Sequence, residues 1–189
     1  MSWSYGITPI TPEDMLGILE KRVQQMTGLG DRAFLSLWSQ RFLLQSPRAQ
    51  KFITIRPVNF PVWQSVCDGS GFENPLTGYN AAITLTVYVH NSSDPETWSI
   101  NLVRENVLSL TTLVNLAAAS MQGYVPIVTV DDEELALVRE PMRMADSGWR
   151  FGDATDGKGG PWSYATVDFE CRFSAKLPEL PDIVSPNII

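Results

Sequence analysis

Apolar residues recur at helical spacing in two long stretches of the chain, and each stretch predicts an amphipathic helix. The first follows Thr11 and Pro12, residue types that suit a helix start, and it ends at Gly28. The second follows Asp94-Pro95-Glu96 and ends at Gly123. Its apolar stripe is predicted to be buried and consists of Val103, Val107, Leu110, Val114, Ala117, Ala118 and Met121.

A third, shorter helix is predicted from residue 32 to residue 44, ending before Ser46-Pro47. Its expected buried stripe consists of Phe34, Leu35, Trp38 and Phe42.

Elsewhere the apolar period falls to two, which is typical of strands with one buried face. The alternation is clearest in residues 81–90 and 162–173, where every second side chain is apolar or small. Shorter strands are predicted at residues 52–56, 127–130 and 135–139.

The segments between these elements predict long connections. Residues 64–80 contain DGSG, NP and TG, and residues 152–160 read GDATDGKGG, so both are expected to be loops. The order of elements predicts an α+β fold in which a small, mostly antiparallel sheet packs against two main helices. We expect one domain over residues 1–176 and an extended, proline-rich tail over residues 177–189.

Composition and charge narrow the functional classes. The 189 residues are 44% hydrophobic and 19% charged, proportions of a globular protein, and the net charge is -7. Because the basic residues are scattered and outnumbered, a phosphate-gripping face for nucleic acid is not expected. The start of the chain has neither a basic nor an apolar region of a signal peptide, and no apolar run would span a membrane. We therefore expect an intracellular protein without a membrane partner.

Candidate catalytic and metal-binding residues are few. The run from Asp131 to Glu134 could bind a divalent cation, but adjacent carboxylates fit a solvated turn better than one coordination sphere. Asp168 and Glu170 share a strand face and could form a carboxylate pair. The single histidine, His90, cannot supply a site that needs two imidazoles, and the two cysteines, one of them the core candidate Cys171, have no zinc spacing.

No catalytic residue, cofactor site or metal site is therefore predicted. The enzyme alternative that the residues leave open is a metal-dependent hydrolase that uses Asp131, Asp132, Asp168 or Glu170.

Large apolar side chains outside the predicted core are candidates for protein contacts, because aromatic residues often anchor interfaces. A buried structural role is equally open for each tryptophan. The candidate interface residues are Trp63, Phe72, Trp98, Trp149, Leu180, Ile183 and Val184.

Over roughly residues 11 to 173, the order of these elements and their pattern of apolar and polar residues resemble those of the tail-terminator and tail-completion proteins of long-tailed phages. The resemblance lies in the helix PEDMLGILEKRVQQM, the strand FITIRPVNFP, the strand AAITLTVYVH and the helix NLVRENVLSLTTLVNLAAASM. It continues through IVTVDDEELALVREP and the last strand, YATVDFECRF. The predicted helix at 32–44 and the proline-rich tail depart from the usual short form of that family.

This resemblance implies a structural virion subunit that is assembled in the host cytoplasm. The family packs a small sheet against two helices and forms a ring, usually of six copies, at the end of the tail tube. The implied partners are further copies of the chain, the tail tube protein and the head–tail connector, with DNA only passing through the lumen. Another connector or an interaction adaptor remains the alternative.

Overall fold

A computed structural model describes residues 12–37, 50–59, 62–66, 76–91, 99–130, 133–136, 138–155 and 161–176. Along the chain the elements are α1 (Pro12–Thr27), a 3-10 turn (Gly30–Arg32), β1 (Ala33–Leu35), β2 (Lys51–Asn59), β3 (Val62–Val66), β4 (Leu76–His90), α2 (Ile100–Met121), β5 (Ile127–Val130), β6 (Glu133–Ala136), β7 (Val138–Met144), β8 (Arg150–Thr155) and β9 (Pro161–Lys176). No helix in the described ranges is both long and apolar enough to cross a membrane.

The main sheet is built on the antiparallel pair β4 and β9, which run side by side from Leu76–Lys176 to His90–Trp162. Strand β2 pairs antiparallel with the edge of β4 that does not contact β9. The short strand β1 pairs with β2 in parallel. Strand β3 pairs with the start of β4, whereas β7 and β8 pair with successive parts of β9. The α+β fold with a mostly antiparallel sheet is therefore confirmed.

Both helices pack on one face of this sheet and form the main core with it. Every second residue of the central strands, such as Ile83, Leu85 and Phe169, lies in this core. Successive side chains of a strand point to opposite faces of the sheet, so only one of every two can face the helices. The two helices contribute Met15, Leu19, Val23, Leu110, Leu113, Val114, Ala117 and Met121.

The ends of the helices follow from their sequence. Gly28, directly after α1, has φ 66, and Gly123, just after α2, has φ 73. This left-handed backbone is costly for residues with a Cβ and is common just past the end of a helix. Helix α2 begins later than the sequence predicts, because Ser99 is extended and its side chain accepts a hydrogen bond from the Leu102 amide.

The predicted helix at 32–44 is wrong at its start. Residues 33–35 form β1, in which Ala33 lies in the main core and Phe34 lies against the opposite face of the sheet. Three residues are too few to show a period, and their partner strand is remote in sequence, so local pattern could not reveal the strand. Residues 38–49 lie outside the described part of the chain.

Both predicted loops are also partly wrong. Residues 64–66 belong to β3 and residues 76–80 to β4, so the first predicted loop is wrong at both ends, and residues 67–75 lie outside the described part of the chain. Residues 152–155 belong to β8, where a Cβ at Gly152 would stand 2.7 Å from the Tyr164 ring. That glycine marks a close approach of two strands and not a loop.

One predicted strand, 135–139, is divided between two sheets. Its first residues belong to β6, which pairs with β5, and its last residues begin β7, which pairs with β9. Glu133 and Glu134 of the predicted acidic turn are also in β6, and Asp131 and Asp132 lie outside the described residues. The predicted strand 127–130 is confirmed with the same bounds as β5, and those at 52–56, 81–90 and 162–173 are confirmed within longer strands.

The fold predicts a sharp contrast between two neighbouring leucines of α2. We expect Leu110→Ala to lower the free energy of unfolding by about 2–5 kcal/mol, since it removes a buried side chain from the core. Leu108→Ala is the matched control and should change it by less than about 0.5 kcal/mol, because Leu108 is 56% exposed. Denaturant unfolding at low protein concentration measures both, and equal losses would contradict this packing.

Candidate interaction surfaces

The face of the sheet opposite the helices carries a band of threonine side chains. Thr84 donates a hydrogen bond of 2.6 Å to an Asp168 carboxylate oxygen, and the hydroxyls of Thr86 and Thr166 lie 3.3 Å apart. With Thr54, which is buried, they border an open depression of about 620 Å³. These hydroxyls join adjacent strands to one another, so the band stabilises the sheet while it presents a polar surface.

Tyr88 closes one side of this band. Burial raises the pKa of its phenol, and hydrogen bonds with Thr54 and Thr86 offset part of that rise. The phenol is therefore protonated at neutral pH and serves as a hydrogen-bonding partner of the band.

Beyond Tyr88 the outer face becomes aromatic. The Phe52 ring stacks on Tyr88 with centroids 4.6 Å apart and meets Trp162 edge-on at 5.4 Å. His90, the single histidine, packs edge-on against Trp162 at 4.8 Å. Trp162 is fully buried there, and its indole N–H has no hydrogen-bond acceptor among the residues that the structure describes. The single histidine of the sequence thus packs against a small aromatic cluster.

At the other end of the band, two carboxylates of β9 pair with arginines of neighbouring strands. Asp168 lies 2.8 Å from Arg150, and Glu170 lies 3.3 Å from Arg143. Asp168 uses one oxygen for Thr84 and the other for Arg150. The carboxylate pair of the sequence analysis therefore holds strands together. Within the described ranges, no three His, Cys, Asp or Glu side chains are grouped so that they could hold a metal ion.

A second surface lies on the first half of α2, where apolar side chains are in water. Ile100 is 89% exposed, and Val103, Val107 and Leu108 are each more than half exposed. We call these four residues the overhang stripe. Val103 and Val107 continue, at spacings of three and four, the line that Leu110 and Val114 begin in the core. The stripe predicted from the sequence is thus one continuous line of which only the second half is buried.

The exposed half of α2 ends at a groove in the body of the subunit. Ser109, Thr112 and Leu113 line this groove of about 520 Å³ together with Gln50 and Lys51, at the end of the sheet where β2 begins. None of the nine helical residues before Ser109 is buried, and at about 1.5 Å per residue they span roughly 13 Å. We call this groove, which Leu29 and Arg32 also line, the base groove.

Smaller features add to the surfaces available for contacts. Strands β5 and β6 form a hairpin that, in the described part of the chain, pairs with no third strand. A two-stranded hairpin alone is marginally stable in water. Phe151 on β8 is another exposed apolar side chain.

Few of the interface residues predicted from the sequence fall in the described ranges. Trp63 lies in β3 and not in a loop. Trp149 lies between β7 and β8, and its partly buried side chain packs against the main core. Phe72, Trp98, Leu180, Ile183 and Val184 lie outside the described residues. The sequence analysis missed the overhang stripe because it assigned Val103 and Val107 to the core and omitted Ile100 and Leu108.

Comparison with known proteins gives a weak structural likeness. No protein-family model matches the chain, and no curated protein is detectably similar to it. Among solved structures, a chain of the "Virion of native gene transfer agent (GTA) particle" is similar, with a TM-score of 0.38 and 8% identity, over 92% of this chain and 100% of that chain. A likeness of this size carries no argument about function, which has to come from the residues of this chain.

The thiol of Cys171 should be chemically silent. Burial in the core raises its pKa to about 12, so the nucleophilic thiolate is negligible at pH 8. In a Cys67→Ser variant, we expect a disulfide reagent to label no thiol until the protein is unfolded. Labelling of the native variant at the rate of a small free thiol would contradict the burial of this residue.

Proposed function

We propose that the chain is a structural subunit of a phage-like virion. More narrowly, it is a tail-terminator or tail-completion protein that forms a ring at the end of the tail tube and joins the tube to the head or connector. The observation that carries this proposal is the overhang stripe, half of a continuous apolar line that the subunit leaves outside its own core.

An apolar helix face of this kind is suited to another protein. Ile100, Val103 and Val107 recur at spacings of three and four, the pattern by which an amphipathic helix meets a protein partner, and Leu108 lies beside Val107. Apolar surface that remains in water costs free energy at about 25 cal/mol per Å², so a partner that covers the stripe gains stability. Association with a partner would therefore bury apolar surface that the isolated subunit leaves exposed.

The arrangement of surfaces also suits a closed ring. Head-to-tail rings need two different surfaces on each copy, each complementary to the other. The overhang stripe lies at the end of the sheet where β4 finishes, whereas β3 and the start of β4 lie at the opposite end. These two ends are different surfaces, as a head-to-tail contact between neighbouring copies requires.

Charge supports a ring through which DNA passes without being held. The chain has a net charge of -7, which repels phosphates. On the outer face of the sheet, Arg143 and Arg150 are each engaged with a carboxylate of β9. A strong phosphate-binding surface would need basic side chains directed to the ligand.

Two alternatives differ from this proposal in what they require. A head–tail connector or an adaptor would use the same overhang stripe against a different partner. A metal-dependent hydrolase would use Asp131, Asp132, Asp168 or Glu170. Asp168 and Glu170 already pair with arginines, and Asp131 and Asp132 lie outside the described residues. The geometry therefore favours the structural roles.

Assembly with tail tubes tests the proposal directly. We expect native mass spectrometry to find a closed ring, of six copies by the family resemblance, in solution or on addition of tail tubes from the same particle. Electron microscopy should then show the chain at one end of each tube. Val103→Asp with Val107→Asp should abolish ring and tube binding, because charge replaces the apolar stripe.

The matched control is Val58→Asp, since Val58 on β2 is 57% exposed and Val107 is 58% exposed. It should assemble as the unmodified chain does. Binding to isolated connectors but not to tubes would replace the terminator role by the connector role. A chain that stays monomeric and binds neither tail tubes nor connectors would overturn the virion role.

A further inference from the structure

The base groove lies next to the overhang stripe, and its lining is both cationic and apolar. Two of the groove-lining residues, Arg32 and Lys51, are cationic, and no carboxylate is among the described residues that line it. Leu29 and Leu113 give the same groove an apolar floor. A segment that is complementary to this groove would therefore contain both apolar and acidic side chains.

We propose that the C-terminal segment of a second copy, residues 178–189, binds along the overhang stripe and the base groove. The proposal deepens the function given above, because it identifies the contact by which copies join. The segment contains the apolar residues Leu180, Ile183, Val184, Ile188 and Ile189. Among them stand Glu179 and Asp182, which complement Arg32 and Lys51.

The prolines of the segment favour a contact made by side chains. Pro178, Pro181 and Pro186 have no amide hydrogen and cannot donate a strand hydrogen bond. Beyond its first turn, the face of a helix offers no free backbone groups, because its amides and carbonyls bond within the helix. A proline-rich, apolar segment and an apolar helix face are therefore suited to each other.

Chain length decides that the contact is between copies. Strand β9 ends at Lys176, beside Leu76, and the base groove lies toward the other end of the sheet, where Lys51 pairs with Val89 and Val89 pairs with Ser163. Ser163 and Lys176 are about 43 Å apart along β9 at about 3.3 Å per residue. Val184 is eight residues beyond Lys176 and reaches at most about 29 Å from it. The residues of the segment up to Val184 thus fall short of the base groove and the overhang stripe of their own subunit.

Disulfide trapping between full-length chains tests the contact. One chain carries Val107→Cys and the other carries Ile183→Cys, both in the Cys67→Ser background, with Cys171 left in place because it is buried. On mild oxidation we expect a cross-linked dimer at about tenfold or more the yield of the control, since docking raises the local concentration of the second thiol. The control replaces Val107→Cys by Val58→Cys, which matches it in residue type and exposure.

A single chain that carries both Val107→Cys and Ile183→Cys tests the reach. We expect dimers and longer species on oxidation, and an internal disulfide in the monomer would overturn the proposal. Equal cross-linking of Val107→Cys and Val58→Cys partners would overturn it as well.

Removal of residues 178–189 should leave the melting temperature of the dilute subunit unchanged and weaken self-association. Unfolding of the shortened chain would instead show that the segment belongs to its own core. These tests measure contact between copies of the chain. Cross-linking as expected, without binding to tail tubes, would refute only the terminator role. Tube binding without cross-linking would refute only this contact.

Discussion

The pairing of β4 with β9 is the contact on which the rest of the molecule depends. Strands β2 and β3 attach to β4, and strands β7 and β8 attach to β9. In their register Ile83 faces Phe169 toward the helices, and Thr84 faces Asp168 on the outer side. A slip of one residue in either strand would exchange the two faces and place threonines beneath α2, so the alternation of both strands enforces this register.

Sequence periodicity predicted the elements whose pattern is long enough to repeat. The alternation of residues 81–90 and 162–173 was sufficient to identify both central strands and their inward faces, because half of each strand meets one continuous core. The short β1 could not be found in this way, since it is defined by pairing with Ile53–Ile55 and not by a period of its own. The aromatic cluster of Phe52, Tyr88 and Trp162 was likewise missed, because single aromatic residues on an outer face leave no pattern along one strand.

The overhang stripe shows a different limit of sequence interpretation. The spacing of Val103, Val107 and Leu110 establishes which side of α2 is apolar, and the structure agrees. Whether a given turn of that side is covered depends on where the helix lies along the sheet, which the connection between β4 and α2 determines. The apolar spacing alone therefore suggested complete burial, although no residue from Ile100 to Leu108 is buried.

The lateness of β9 in the chain has a consequence for biosynthesis. Thr84 and its partner Asp168 are 84 residues apart, so β4 leaves the ribosome long before β9 can pair with it. Until then β4 has an open edge on that side, and much of the face on which α2 packs is missing. Contacts between remote residues slow folding, and an unpaired strand edge is prone to join another unfinished chain. The nascent subunit is thus most vulnerable to aggregation between the synthesis of its fourth strand and its ninth.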